Sequence, residues 1–255
     1  MNSLVLTPWL ALTLVLARIL AFIVTAPILN RRGIPSLLKI GLGVFVALIV
    51  FAGEPMHYEG STSAFIGSLI SETMVGLCMG MLASWLFQSF TMGGQLIDQQ
   101  AGFGSAAMFD PGSSIQVSLI SNFILFISIL LFLELDGHHI LLLGIIKSFQ
   151  VVPVGAGVLG LSLGTVVLRA LTASMVLMIR VAIPVVVVLV LTDLILGMIG
   201  RAVPQLNVLM LGLPVKAGVA LLVLAAVSPA FLGVGGSLLS ELEGVLSRAF
   251  GVMAP

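Results

Sequence analysis

An all-α, membrane-associated fold is what the sequence predicts, and three observations predict it. Hydrophobic residues make up 60% of the 255-residue chain and charged residues only 8%, which leaves too little polar surface to clothe a soluble globule. The apolar residues gather into runs of about 20 or more, the length an α-helix needs to cross ~30 Å of hydrocarbon at ~1.5 Å per residue. Polar residues are confined to short stretches between these runs, so no segment is left for a soluble domain.

The composition also removes whole classes of function. Ten basic residues balance ten acidic ones and are dispersed, so there is no basic face for phosphate neutralisation, which excludes nucleic acid as a partner. The single cysteine, Cys78, permits no internal disulfide and no thiolate metal cluster; within Val75-Gly76-Leu77-Cys78-Met79 it reads as packing. No Gly-x-x-x-x-Gly-Lys-Ser/Thr phosphate loop is present, so no ATPase chemistry is expected.

The elements follow in order. Residues 4–29 have no basic residue before Arg18 and no small-residue cleavage motif, which predicts a retained first span. Trp9, beside Pro8, suits the water interface, where the indole keeps its N–H wet. Asn30-Arg31-Arg32-Gly33 then separates this span from a helix over 34–52. A turn carrying Glu54 and Glu59 leads to a helix over 63–92. Residues 93–114 read as a glycine-rich loop of mixed polarity, in which Asp110-Pro111-Gly112 turns the chain and Ser113 or Ser114 caps a helix over 115–135. The turn Asp136-Gly137-His138-His139 precedes a shorter helix over 140–152. A break at 153–160 follows, and then an apolar run over 161–200 whose ~40 residues would make a helix about 60 Å long, twice the hydrocarbon thickness. Pro184 cannot donate to the carbonyl of Arg180, which predicts a kink there. Residues 201–207 turn the chain into a last helix over 208–232.

Topology conflicts with simple alternation. Arg31, Arg32 and Lys39 place the first turn in the cytoplasm and Glu54/Glu59 on the other side. Alternation would then make 93–114 cytoplasmic, yet it holds no Lys or Arg. With the overlong helix, this predicts that many helices pack against other subunits and that some lie outside the bilayer slab.

Few residues carry candidate chemistry. Arg169 and Arg180 are eleven residues apart, a separation that returns to nearly the same helix face. They read as a polar seam against a partner or pore, or as snorkelling cations. Glu72 and Asp193 are carboxylates with apolar flanks, each needing a cation, hydrogen-bond donors or a proton, so they read as halves of inter-helix pairs or as proton relays. Arg169 or Arg180 could reach Asp193 only from another helix. Glu134, Asp136, His138 and His139 are metal-capable, but adjacent histidines on a turn rarely converge on one ion, so a polar turn and no metal is expected. Ser105, between glycine-flanked residues, has a weak likeness to the serine of rhomboid intramembrane proteases, which would need His138 or His139 within hydrogen-bond reach. Gly102 and Gly104 instead allow tight positive-φ backbone, and Phe103, Met108 and Phe109 suit a deformable seal.

The ordered set Gly94-Gln95-Leu96-Ile97-Asp98, Gly102-Phe103, Phe109-Asp110-Pro111, Leu135-Asp136-Gly137-His138-His139, Ser148-Phe149 with Val152-Pro153-Val154-Gly155, Gly200-Arg201-Ala202-Val203-Pro204-Gln205-Leu206-Asn207 and Gly212-Leu213-Pro214-Val215-Lys216 resembles the FliR family, the flagellar branch of the membrane export-gate proteins of type III secretion. The resemblance spans most of the chain, from Arg31 to beyond Lys216. It implies a non-enzymatic subunit of helical hairpins, with a FliP-like part to about residue 190 joined to a FliQ-like hairpin over about 191–255. This subunit would assemble with FliP and FliQ proteins in a helical hetero-oligomer at the inner membrane, in the flagellar basal body, beside further export-apparatus membrane proteins and lipid. No cofactor is implied. Gly102, Phe103, Gly104, Ser105, Ala106, Ala107, Met108, Phe109 and Asp110 would close the channel for unfolded protein cargo. Arg201, Pro204, Gln205 and Asn207 would form the hairpin turn facing the cytoplasmic apparatus. The alternatives are a secondary transporter coupled through Glu72 or Asp193, although no convincing internal repeat supports it, and the rhomboid-like protease.

Overall fold

The computed structural model describes residues 3–31, 33–53, 58, 62–103, 118–157, 160, 162–205 and 207–254. Among them it contains helices and no strands: α1 (Ser3–Thr25), α2 (Ser36–Gly53), α3 (Thr62–Ala101), α4 (Leu119–Glu134), α5 (Gly137–Val151), α6 (Leu163–Ala202), α7 (Val208–Val227) and α8 (Ala230–Met253). Five of these helices are long and apolar enough to cross a membrane, or six spans if α4 and α5 count as one broken span. The chain divides into two compact units, the first made of Met1–Phe87, Asp136–Thr172 and Leu239–Pro255, the second of Gln88–Leu135 and Ala173–Leu238.

The first unit is organised by close approach of α1 and α3. On α1 the buried residues Ala11, Leu14, Val15, Arg18, Ile19, Phe22 and Ala26 recur at helical spacing and form one stripe. The facing stripe of α3 is Glu72, Gly76, Gly80 and Ser84, every fourth residue. A Cβ added at Gly76 would enter the Arg18 carbonyl, and one at Gly80 would stand 2.8 Å from the Phe22 carbonyl oxygen. The two small residues therefore let the backbones touch, as small-xxx-small pairs do between apolar helices. The Ser84 hydroxyl donates to the Thr25 carbonyl at the end of that stripe. Helix α2 packs on α1, with Gly43 lying under the Leu20 and Ile23 side chains.

In the second unit the later part of α3 meets α4 and α6 through another glycine pair. A Cβ at Gly93 would lie 2.8 Å from Val181 Cγ1, and one at Gly94 2.5 Å from Ser121 Cα. Gly235 of α8 lies against Leu131 and Leu135 of α4.

Two sequence expectations change. Helix α3 does not end at Met92 but continues to Ala101. Its last turns are amphipathic, with Ile97 and Asp98 buried and Gln95 and Gln99 exposed, so polarity that read as loop belongs to one helix face. Helix α6, from Leu163 to Ala202 with Pro184 inside it, agrees with the long run expected over 161–200. The final expected helix stops at Val227, and a further helix, α8, follows Ser228-Pro229. The expected capping at Ser113 or Ser114 lies outside the described residues; Ser118 holds the N-cap position of α4.

Candidate functional site

Polar side chains inside this apolar chain gather into a few clusters, each built where helices converge. In the first unit, α1 presents Arg18 and α3 presents Glu72, both with fully buried side chains. Arg18 Nε donates to Glu72 Oε2 at 2.5 Å and Nη2 to Oε1 at 2.9 Å, a bidentate pair. Nη1 turns to the C-terminal end of α5, donating to the carbonyls of Ser148 at 3.1 Å and Val152 at 3.0 Å. The Phe149 ring covers the guanidinium, 4.3 Å from its carbon. Gly155, at φ +83°, turns the chain so that its amide donates to Glu72 Oε1 at 2.8 Å. The cation sits among carbonyls at a helix C-terminus, where the helix dipole favours positive charge. The Glu72 carboxylate is thus surrounded by donors from this chain. It is an internal pair rather than an exposed contact, and its partner, Arg18, was not foreseen.

In the second unit, Asp193 of α6 meets Lys216 of α7 at 2.9 Å and Gln100 of α3, whose Nε2 donates at 2.8 Å. The Asp193 side chain is 42% exposed and that of Lys216 16%. The sequence identified no partner for Asp193; the next helix of the chain brings the Lys216 ammonium within reach. Arg169 and Arg180 are themselves exposed, and Arg180 reaches Ser237 only at 3.5 Å.

Asp98, also on α3, is 4% exposed. Its two oxygens accept from the backbone amides of Ile120 at 2.8 Å and Ser121 at 2.9 Å.

Of the expected seal, Gly102 and Phe103 are described, whereas Gly104, Ser105, Ala106, Ala107, Met108, Phe109 and Asp110 lie outside the described residues. Gly102 adopts φ +85°, a backbone conformation that favours glycine, and a Cβ there would meet only the movable end of the Leu213 side chain, 2.7 Å from its Cδ2. In the turn between α6 and α7, Arg201, Pro204 and Gln205 are exposed. Asn207 caps α7, its side chain accepting from the Met210 amide at 3.2 Å.

At the Asp136 turn the ligand atoms of Asp136, His138 and His139 lie within 4.8 Å of one another, the only such group among the described residues. Asp136 takes φ 57°, and its Oδ1 is 3.2 Å from His139 Nδ1, both side chains being largely exposed. His138 Nδ1 is buried with no hydrogen-bond partner among the described residues. These are the groups that could hold an ion, although the two exposed members already bond to each other.

Comparison with known proteins places this architecture. The family described as bacterial export proteins, family 1, matches residues 9–242. The flagellar biosynthetic protein FliR of Bacillus subtilis (strain 168) is 35% identical over 219 residues, covering 84% of each chain. The FliR of Pectobacterium carotovorum subsp. carotovorum is 31% identical over 231 residues, 90% of this chain and 88% of that one. FliR of Escherichia coli (strain K12) is 27% identical over 233 residues, 91% of this chain and 89% of that one. With matches that run through nearly all its helices, the chain belongs to the bacterial export proteins, family 1, and within them to the FliR family.

Proposed function

We propose that this chain is a structural and gating subunit of the flagellar type III protein-export gate. The observation that carries the reading is the family match over residues 9–242. The uncovered helices support it: only 22% of the Ser36–Gly53 span and 17% of Met210–Val227 is buried, and apolar surface of that extent needs lipid or other subunits against it. In this reading the chain is a membrane-embedded component of the export apparatus, in the bacterial inner membrane at the flagellar basal body. FliP-like and FliQ-like subunits complete a hetero-oligomer, with residues to about 190 acting as the FliP-like part and 191–255 as the FliQ-like hairpin. Arg201, Pro204, Gln205 and Asn207 face the cytoplasmic apparatus, and exposed Arg169 and Arg180 are available to neighbouring subunits. Unfolded flagellar proteins pass through the channel, and the segment from Gly102 to Asp110 seals it between substrates.

Two features favour the seal. The turn at Gly102, with its positive φ, is where the chain leaves a 40-residue apolar helix, and the sequence that follows, to Phe109, holds only small residues, a methionine and a phenylalanine besides Phe103. The test is co-expression with FliP-like and FliQ-like subunits, native mass spectrometry, and potassium efflux from liposomes holding the complex. The full chain should give one hetero-oligomer of fixed composition, and removal of residues 104–110 should leave that complex intact but leaking. A monomer or homodimer that ignores both partners defeats the gate reading; tight liposomes with the shortened chain in an intact complex defeat the seal.

A further inference from the structure

A groove of about 480 Å³ lies between α5 and α8, wholly within the first unit. The two helices meet at a glycine, since a Cβ added to Gly144 of α5 would lie 3.2 Å from Leu246 Cδ1 of α8. On α5, Leu143 and Lys147 are four residues apart; on α8, Ser240, Glu243 and Ser247 recur at three and four. Each set therefore lies along one helix face, and both sets border the groove. Buried Leu246 and Phe250 and half-exposed Leu143 supply its apolar wall.

Lys147 and Glu243 are exposed and line this one groove, yet neither forms an ion pair or hydrogen bond with another described residue. A simple anion drawn to Lys147 would be repelled by Glu243, and a simple cation drawn to Glu243 would be repelled by Lys147. A ligand that carries both charges meets each with its opposite. Glu241 and Arg248, also exposed on α8, do not line the groove and add one charge of each sign. Charges facing hydrocarbon are costly, so in a membrane-embedded chain a charge pair beside an apolar wall fits the level of the lipid headgroups.

We propose that the groove between α5 and α8 binds a phospholipid with a zwitterionic, primary-amine headgroup, its phosphate at Lys147, its ammonium at Glu243 and its acyl chain along Leu143, Leu246 and Phe250. An ammonium has three N–H donors; Glu243 accepts from it, and the hydroxyl oxygens of Ser240 and Ser247 offer further acceptors. A trimethylated headgroup has no N–H to donate, and a glycerol headgroup brings no cation to Glu243. The site uses no part of the channel seal and stands whether or not the seal does.

The test is native mass spectrometry of the full chain in detergent, offered an equimolar mixture of phosphatidylethanolamine, phosphatidylcholine and phosphatidylglycerol with identical acyl chains. Phosphatidylethanolamine should be retained about fivefold over each of the others, the worth of one half-exposed ion pair. Glu243→Gln should erase that preference. Lys147→Met should instead weaken retention of all three lipids by a similar factor, because the phosphate is common to them. Both side chains are exposed and unpaired among the described residues, so both variants should unfold at the wild-type temperature. Glycerophosphoethanolamine, the same headgroup without acyl chains, should not displace the lipid at equal concentration. Equal retention of the three lipids, a preference for phosphatidylglycerol, or a preference that survives Glu243→Gln overturns the proposal. Displacement by the chainless headgroup also overturns it, since the apolar wall would then contribute nothing. Loss of the preference on co-expression with FliP-like and FliQ-like subunits would give the groove to a neighbouring subunit and overturn the lipid assignment. If a variant does not fold, the wild-type competition among the three lipids and the chainless headgroup decides alone.

Discussion

Glu72 and Asp98 lie on the same helix, both almost wholly removed from solvent, yet the two units satisfy them by opposite means. Glu72 faces a guanidinium that is itself wrapped by the carbonyls of Ser148 and Val152 and the ring of Phe149. Asp98 faces the amides of Ile120 and Ser121. Burying a charge pair is costly in desolvation, and removing one partner strands the other, so the Arg18–Glu72 cluster has only one good arrangement. A carboxylate on a helix N-terminus faces partial charges, and the helix can separate from it at lower cost. The difference teaches where rigidity is placed: the first unit is tied by a full ion pair across α1, α3 and the end of α5, whereas the second is held by contacts of intermediate strength. Asp193 and Lys216, with Gln100, mark the weak end of that scale because the carboxylate remains 42% exposed.

The comparison breaks most visibly at Arg18. Arg18→Leu or Glu72→Ala should each destabilise the first unit by about 3–5 kcal/mol, the usual loss when one member of a buried pair is left alone. The double replacement Arg18→Met with Glu72→Leu should recover much of that loss, because neither charge is then stranded. Thermal unfolding of the purified chain in detergent measures both, and a double variant no better than the singles would mean that the carbonyls and the Gly155 amide, rather than the ion pair, dominate. This pairing also bears on the transporter alternative, since a coupling acid must exchange protons with a path, and Glu72 has donors from Arg18 and Gly155 at both oxygens.

Much of this was legible beforehand, for physical reasons that differ by region. Helices α1, α2 and α6 are continuous apolar runs with polar stops, and length alone places them. The end of α3 was hidden because Gly93, Gly94, Gln95 and Gln99 resemble a loop in composition, while their packing partners, Val181 and Ser121, are remote in sequence. Helix α8 was obscured by Gly233, Gly235 and Gly236, although the buried residues Leu238, Leu242, Val245, Leu246 and Ala249 keep a helical spacing that was open to reading. Arg18 carried the clearest unread signal: a lone arginine inside an apolar span needs an acid, and Glu72 is the first acidic residue inside an apolar span that follows it. Distance in sequence hid the Asp193–Lys216 pair less, since both lie in the helices flanking one turn.

That pair sharpens the comparison from the other side. Asp193→Asn or Lys216→Met should cost about 0–1 kcal/mol, discounted because water screens the half-exposed carboxylate. Gln100 still offers Asp193 a donor when the lysine is removed, so Lys216→Met should be the milder change. A loss as large as that of Glu72→Ala, measured by the same thermal unfolding, would mean that Asp193 is buried by something other than this chain in the detergent-purified state.

At the limit of the scale stand Arg169 and Arg180, exposed on α6. Exposed cations on an apolar helix contribute little to the fold of their own chain but cannot face hydrocarbon at mid-depth without cost. Replacing both with Leu should leave the unfolding temperature of the isolated chain unchanged. If the residues meet partner subunits, the same variant should lower the yield of the co-expressed hetero-oligomer, read by native mass spectrometry. Wild-type yield would assign the pair to snorkelling toward a membrane surface. A drop in the stability of the isolated chain would instead mean that the charges act within it, which would end the graded contrast between the tightly paired first unit and the openly charged surface of α6.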